Sequence, residues 1–421
     1  MKGKTHLVAL AFIASLILPY SYAATSDSST NITEQLQKEI DNYFNKYSKK
    51  EKFTAIAASV LIPQNRLSNA KEIKTVVHGT IGYPPLSQPI NPTNLFDIGS
   101  ITKSFTSLIL LQLQTEEKLS LDDPLGKWLP QYSNWKTVTL RQLLNMTSGI
   151  PNYSEDEEFS QKMESHLDAV WTDEELLKYA HPEKPLEKRS GNLYEYSNSN
   201  YILAALVIEK VTHDSFANQL KLRIINAQNG LNNSFYLAGP DAQAVEKSIE
   251  DRRVHGYFYD EKKNKLIDTL TNDLSWAAAA GAIVADTEDV VHWVQLLYRG
   301  TLIKPIFRER ALAELESVVS MKTGQPIPKV SENDPFGFGL GVGYLYDKEL
   351  KQRFWVYKGS TLGFRVMYFW QACNNVTTVV ALNSKGGEGN PESKLGDEIL
   401  KANQSLYKVI LKNYPELQCM S

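Results

Sequence analysis

Apolar residues recur at helical spacing over residues 32–47, where Leu36, Ile40, Tyr43, Phe44 and Tyr47 share one stripe. Two runs with strand character follow at 53–62 and 74–81, joined by a polar turn region. The stretch with Phe105, Leu108, Ile109, Leu110, Leu111 and Leu113 lacks a polar face and predicts a helix buried on nearly all sides. From 100 to about 300 the pattern is mainly helical with long polar connections. It includes a short helix at 139–146 and one capped by Asn200 with Tyr201, Ala204, Ala205 and Ile208 on one face. Another helix is opened by Thr287-Glu-Asp and turns Val290, Val291, Val294 and Leu297 inward. Strand character returns at 336–345, 353–357, 363–370 and 377–382. Leu395, Ile399, Ala402, Leu406 and Val409 then mark a C-terminal helix.

Strands at both ends with helices between them predict an α/β (α+β) fold. An antiparallel sheet flanked by helices is completed by the two chain ends, with a mainly helical lobe inserted. The expected division is a sheet lobe from 24–99 and 330–421 and a helical lobe from 100–329, with a site in the cleft between them.

The N-terminus adds Lys2 and Lys4, an apolar stretch from Leu7 to Leu18, and small residues Ser21 and Ala23, which together read as a signal peptide cut after Ala23. Twelve apolar-dominated residues are too few to span a bilayer comfortably. The expected location is periplasmic or secreted, with no integral membrane segment after removal. Loss of Lys2 and Lys4 moves the net charge from −3 to −5, which gives no electrostatic reason to bind nucleic acid. Cys373 and Cys419 are the only cysteines. In an oxidising compartment they can pair, closing a loop of 46 residues worth roughly 4 kcal/mol, or stay as two free thiols.

The buried helix begins at the most informative chemistry. Four serines stand three residues before a lysine: Ser68/Lys71, Ser100/Lys103, Ser133/Lys136 and Ser405/Lys408. Ser68 lies in a polar link, Ser133 in a connection, and Ser405 on the amphipathic C-terminal helix. Ser100 alone opens a buried helix, where free N–H groups and the helix dipole favour developing negative charge. One turn later Lys103 lies beside it, and burial lowers a lysine pKa and makes it a usable base.

Such a pair needs a further proton-handling group. Three Tyr-x-Asn runs compete: Tyr43-Phe-Asn45 in the first helix, Tyr132-Ser-Asn134 in a connection, and Tyr196-Ser-Asn198 before a buried helix. A loop tyrosine held against a rigid helix start can present its hydroxyl to a cleft, which favours Tyr196.

Several stretches in this order resemble the serine β-lactamase-related family: Gly-Ser-Ile-Thr-Lys-Ser-Phe-Thr at 99–106, Leu-Ser-Leu-Asp-Asp-Pro-Leu at 119–125, and Leu-Leu-Asn-Met-Thr-Ser-Gly-Ile-Pro at 143–151. Tyr-Ser-Asn-Ser-Asn-Tyr-Ile-Leu at 196–203, Ala-Ala-Gly-Ala-Ile-Val-Ala-Asp-Thr-Glu-Asp at 279–289 and Gly-Phe-Gly-Leu-Gly-Val-Gly at 337–343 extend the likeness. It runs from about 35 to about 412. The family contains class C β-lactamases, D-alanyl-D-alanine carboxypeptidases, D-aminopeptidases and β-lactamase-like esterases. The resemblance implies a β-lactamase/transpeptidase-like fold, with Ser100 as acylated nucleophile, Lys103 as its activator, Tyr196 as base and acid, and Asn198 as a substrate-positioning amide.

The family's third element, Lys or His-x-Gly on a strand followed by Gly-Phe, has two candidates here. Lys322-Thr-Gly324 matches in letters but runs into Gln-Pro-Ile-Pro, a poor strand. Tyr357-Lys-Gly-Ser-Thr-Leu-Gly-Phe364 matches in place and spacing, with Tyr357 where the cation is usual, and is preferred. Gly359 then belongs to the motif, and the N–H groups of Ser100 and Ser360 would form the oxyanion hole. In the family's peptidases and lactamases the cation helps hold a substrate carboxylate. Tyr357 cannot, so Lys358, Arg365 and Lys322 are candidate replacements, and strand alternation turns Lys358 to the opposite face. Some family esterases also lack this cation.

The seven histidines show no H-x-H-x-D or H-E-x-x-H spacing, and no G-x-S-x-G is present. No metal and no cofactor are therefore expected. The expected function is an exported serine hydrolase, a D-Ala-D-Ala carboxypeptidase or penicillin-binding, class C β-lactamase-like enzyme acting on D-alanyl peptides or β-lactams. An esterase of the same mechanism and a catalytically silent cell-wall peptide-binding protein are the alternatives.

Overall fold

The computed structural model describes residues 28–63, 71–187, 193–387 and 393–419. The signal-peptide reading and Ser68 lie outside the described residues.

Among the described residues, thirteen strands follow in chain order. The first seven are β1 (Ala55–Pro63), β2 (Lys71–Gly79), β3 (Phe96–Asp97), β4 (Ser234–Tyr236), β5 (Tyr257–Asp260), β6 (Lys265–Asp268) and β7 (Ile283–Ala285). The rest are β8 (Val319–Ser320), β9 (Phe336–Phe338), β10 (Gly343–Asp347), β11 (Gln352–Ser360), β12 (Arg365–Trp370) and β13 (Thr377–Leu382). Eight of them form one antiparallel sheet in the order β2-β1-β13-β12-β11-β10-β9-β8. The N-terminal and C-terminal strands meet next to the β2 edge, where β1 pairs with β13.

β1 is buried along its whole length because both faces of the sheet are covered. Ile56, Ala58, Val60 and Ile62 face the terminal helices, Ser28–Glu51 and Ile399–Asn413. Ala55, Ala57 and Leu61 join the larger core on the other face. Helix Thr287–Tyr298 lies across β1 and β13 there, and Ser59 meets Thr287 hydroxyl to hydroxyl at 2.7 Å. Behind it lies helix Thr102–Thr115, buried at every position from Thr102 to Leu113, as its unbroken apolar run requires. Cys373 and Cys419 are bonded, with Cα atoms 6.1 Å apart, and fasten the β12–β13 turn to the chain end.

Several expectations are corrected. The single run at 336–345 is two strands, β9 and β10, because the backbone reverses between them with Gly341 at a φ of +73°. The sheet already begins at β8, ahead of the expected return at 330. That strand is two residues long and stands before a Pro-rich turn, so it carries little pattern. The nominally helical middle also holds the β5–β6 hairpin and the strands β4 and β7, which form a small sheet with β3 from just before it, again of strands too short to show alternation. Asn200 does not cap its helix. It lies inside Ser199–Thr212, buried, and accepts a hydrogen bond from Ser148 Oγ at 2.7 Å. Asp286, not Thr287, caps the following helix by accepting from Asp289 N–H. Leu395 precedes the C-terminal helix.

Candidate active site

Ser100 sits in a single 3-10 turn, Gly99–Ile101, that leads into the buried helix. That turn is pressed against the end of β11 by two glycines. A Cβ on Gly359 would lie 1.8 Å from Ile98 O, and one on Gly99, where φ is +50°, 2.5 Å from Ser360 N. Any other residue at either position would force turn and strand apart.

Lys103 Nζ lies 3.1 Å from Ser100 Oγ and donates to Ala280 O at 2.8 Å. The side chain is fully buried, with its Nζ 5.0 Å and 5.5 Å from the ring centroids of Tyr196 and Tyr201. Burial alone pushes its pKa well below the ordinary lysine value. The Tyr196 hydroxyl lies 2.6 Å from Ser100 Oγ. Its segment is pinned by Glu195 N–H to Met146 O and by Ser197 Oγ to Pro151 O. Asn198 stands at the start of helix Ser199–Thr212, held by Asn152 Oδ1 through its backbone N–H and donating from Nδ2 to Ser154 Oγ at 2.8 Å.

Residues 357–360 run beside Ser100. Thr361 N–H bonds Phe364 O at 3.1 Å, closing the β11–β12 turn. Bonded pairs alternate along an antiparallel ladder, so Ser360 N–H points away from β12, toward the side where Ser100 lies. Tyr357 is buried. Its hydroxyl sits in the field of Tyr196 without forming a hydrogen bond of good geometry, and burial pushes its pKa well above the usual phenol value. Lys322-Thr-Gly324 occupies the turn after β8, where Thr323 O accepts from Leu193 N–H. It therefore packs against the segment that leads to Tyr196.

Two candidate carboxylate holders are removed by their surroundings. Arg365 is fully buried and bonded to Glu51, Asp397 and Ser384. Lys358, on the opposite face as alternation requires, donates to Asp397 Oδ2 at 2.6 Å. Among the described residues the competing motifs have other surroundings: Ser133 lies in a 3-10 turn, Lys408 pairs with Glu349, Tyr43 is buried against Glu51, and Tyr132 stacks on Trp135. Sequence reading missed the Ala280 carbonyl and the Tyr201 ring around Lys103. It also missed the β5–β6 hairpin and Lys385, which line a cleft of about 770 Å³ with Tyr196, Asn198 and Ser360. Only the family-like Ala-Ala-Gly run at 279–281 carried a signal for the first of these.

The family model described as Beta-lactamase matches residues 67–401 of the 421. The chain belongs to the Beta-lactamase family. Members of this family's fold are serine hydrolases and penicillin-binding proteins. Penicillin-binding protein 4* of Bacillus subtilis (strain 168) is 26% identical over 339 residues, covering 77% of this chain and 68% of that protein. Protein flp of Staphylococcus aureus (strain N315) is 27% identical over 277 residues, 63% of this chain, which spans only 50% of flp. The D-stereospecific amidohydrolase from Streptomyces sp. superposes with a TM-score of 0.65 at 25% identity, covering 84% of this chain and 94% of that one. The D-amino acid amidase from Ochrobactrum anthropi SV3, complexed with D-phenylalanine, gives 0.73 at 19% identity and shares the fold over 91% of this chain and 99% of its own.

Proposed function

We propose that this chain is an exported serine hydrolase that works through an acyl-enzyme on Ser100, with D-alanyl peptides or β-lactams as its substrates. The observation that carries this reading is the convergence of Lys103 Nζ and the Tyr196 hydroxyl on one serine oxygen, at 3.1 and 2.6 Å. In the proposed step Ser100 Oγ bonds to the substrate carbonyl carbon while its proton passes to the Tyr196–Lys103 pair. Collapse of the tetrahedral intermediate breaks the bond to the leaving group, which takes that proton. Water then hydrolyses the acyl-serine by the same route in reverse. Lys103 suits the task because burial lowers its pKa and so favours the neutral amine, the form that can accept a proton. The N–H groups of Ser100 and Ser360 would receive the oxyanion, and Asn198 would orient the substrate amide. Export rests on the charged, apolar and small-residue pattern of 1–23. Among the described residues no helix is long and apolar enough to cross a membrane.

Tyr357 favours a second reading. Without a cation at that position the site also fits an esterase, or an amidase acting on substrates without a free carboxylate. Incubation of the purified protein with a D-Ala-D-Ala peptide, a cephalosporin and a short-chain ester decides between them. Turnover of the peptide or cephalosporin supports the first reading, and turnover of the ester alone supports the second. Stoichiometric acylation or binding without turnover on all three would replace both with a silent binding protein.

A further inference from the structure

The expected cation positions are all spent or displaced. Position 357 holds a tyrosine, Lys358 and Arg365 are tied to Asp397, and Lys322 lies on the turn beyond β8. Three lysines that the sequence reading did not single out line the cleft. Lys262 and Lys263 stand exposed on the β5–β6 turn, with Lys263 paired to Asp260, and Lys385 is half-buried on the sheet side. Lys385 lines the same cavity as Tyr196, Asn198 and Ser360. Its position is set by the sheet: Ser360 pairs with Arg365, Arg365 with Leu382, and Lys385 follows three residues after Leu382. Two strand spacings, about 10 Å, separate its strand from the end of β11. That span is within reach of a substrate the size of a dipeptide once the lysine stem is extended.

The lysine is fixed in place but not neutralised. Its backbone N–H bonds Tyr257 O at 3.0 Å, the preceding Ser384 accepts from Arg365, and its Nζ lies 5.5 Å from the centroid of the Phe258 ring. Among the described residues it has no acidic partner. Of the four acids that line the cleft, Asp260 pairs with Lys263 at 3.1 Å, and Glu261 accepts from Ser393 and from Lys394 N–H. Glu155 accepts from Asn152 Nδ2, and Glu164 is exposed. An aromatic face orients an ammonium without supplying a full counter-charge, which leaves the charge available to an incoming anion.

We propose that Lys385 is the anchor for a substrate carboxylate in this cleft, taking over the task that position 357 cannot perform. The proposal rests on the acyl-enzyme reading of Ser100 and narrows its substrates to acyl compounds that carry a carboxylate.

The test is a matched pair of substrates on the full chain, an N-acyl-D-alanyl-D-alanine and the same peptide capped as its C-terminal amide. Wild-type protein should prefer the acid. Lys385→Gln should lower the acid-to-amide ratio of kcat/KM by tenfold to a hundredfold, the scale of a lost charge-assisted contact, chiefly through KM. Lys385→Arg should keep most of the preference. A ratio unchanged in Lys385→Gln overturns the anchor, as does a wild-type protein with no preference for the acid or with no activity on either peptide. These outcomes are separable from failure of the parent reading, which is reported by loss or persistence of covalent labelling in Ser100→Ala.

Discussion

Gly359→Ala is the substitution whose consequence follows most directly from the geometry. The new methyl would fall 1.8 Å from Ile98 O and 2.9 Å from Ser100 N, where carbon atoms do not approach backbone closer than 3.0 Å. Turn and strand must therefore separate by at least about 1 Å. β11 remains paired to β12 over six residues, from Trp355↔Trp370 to Ser360↔Arg365, so the sheet should persist while the gap opens beside Ser100. A misplacement of about 1 Å at the reacting centre costs on the order of a hundredfold in rate, about 2.7 kcal/mol of barrier. The assay is the acylation rate with a β-lactam or reporter ester, alongside circular dichroism and a melting curve. A folded variant that acylates at the wild-type rate would refute the claim that this glycine sets the contact between strand and nucleophile.

Tyr196→Phe should reduce turnover at least about a hundredfold, the scale of a lost acid–base group, whereas Tyr132→Phe, a ring stacked on Trp135, should be near neutral in the same assay. Lys103→Met should abolish turnover and raise the melting temperature at neutral pH. The folded lysine pKa is depressed below the unfolded value of about 10.4, so between those two values the unfolded chain binds the extra proton and wild-type stability climbs with pH. The gain from methionine should therefore shrink as pH rises and vanish above about 10.4, and a gain independent of pH would contradict a neutral buried amine. Reduction of Cys373–Cys419, a closure of 46 residues, should cost roughly 4 kcal/mol, read as a lower melting temperature under reductant.

The long elements were legible in the sequence because each carries many residues of one pattern. The unbroken apolar run after Ser100 marked a helix buried on all sides, and 377–382 matches β13 residue for residue. β8, β3, β4 and β7 were not legible, since two or three residues cannot display alternation and their pairing is decided by tertiary contacts. Ser100, Lys103 and Tyr196 stand 96 positions apart at the extremes yet share one hydrogen-bonded cluster. Local context alone, a serine opening a buried helix and a tyrosine before another, separated them from the competing motifs. Lys385 escaped notice because nothing in Asn-Ser-Lys-Gly-Gly distinguishes it from a surface turn. Only the sheet order, which sets β13 two places from β11, brings it to the cleft. The failure of Arg365 as a candidate was equally hidden, because its partner Glu51 lies more than three hundred residues away in sequence.

The central claim is that Ser100 is the residue that becomes acylated, and covalent labelling tests it most directly. Wild-type protein treated with a fluorescent penicillin or a fluorophosphonate should gain the mass of one adduct, and peptide mapping should place it on Ser100. Ser100→Ala should gain none. An adduct that survives that substitution, or that maps to Ser68, Ser133 or Ser405, would contradict the account.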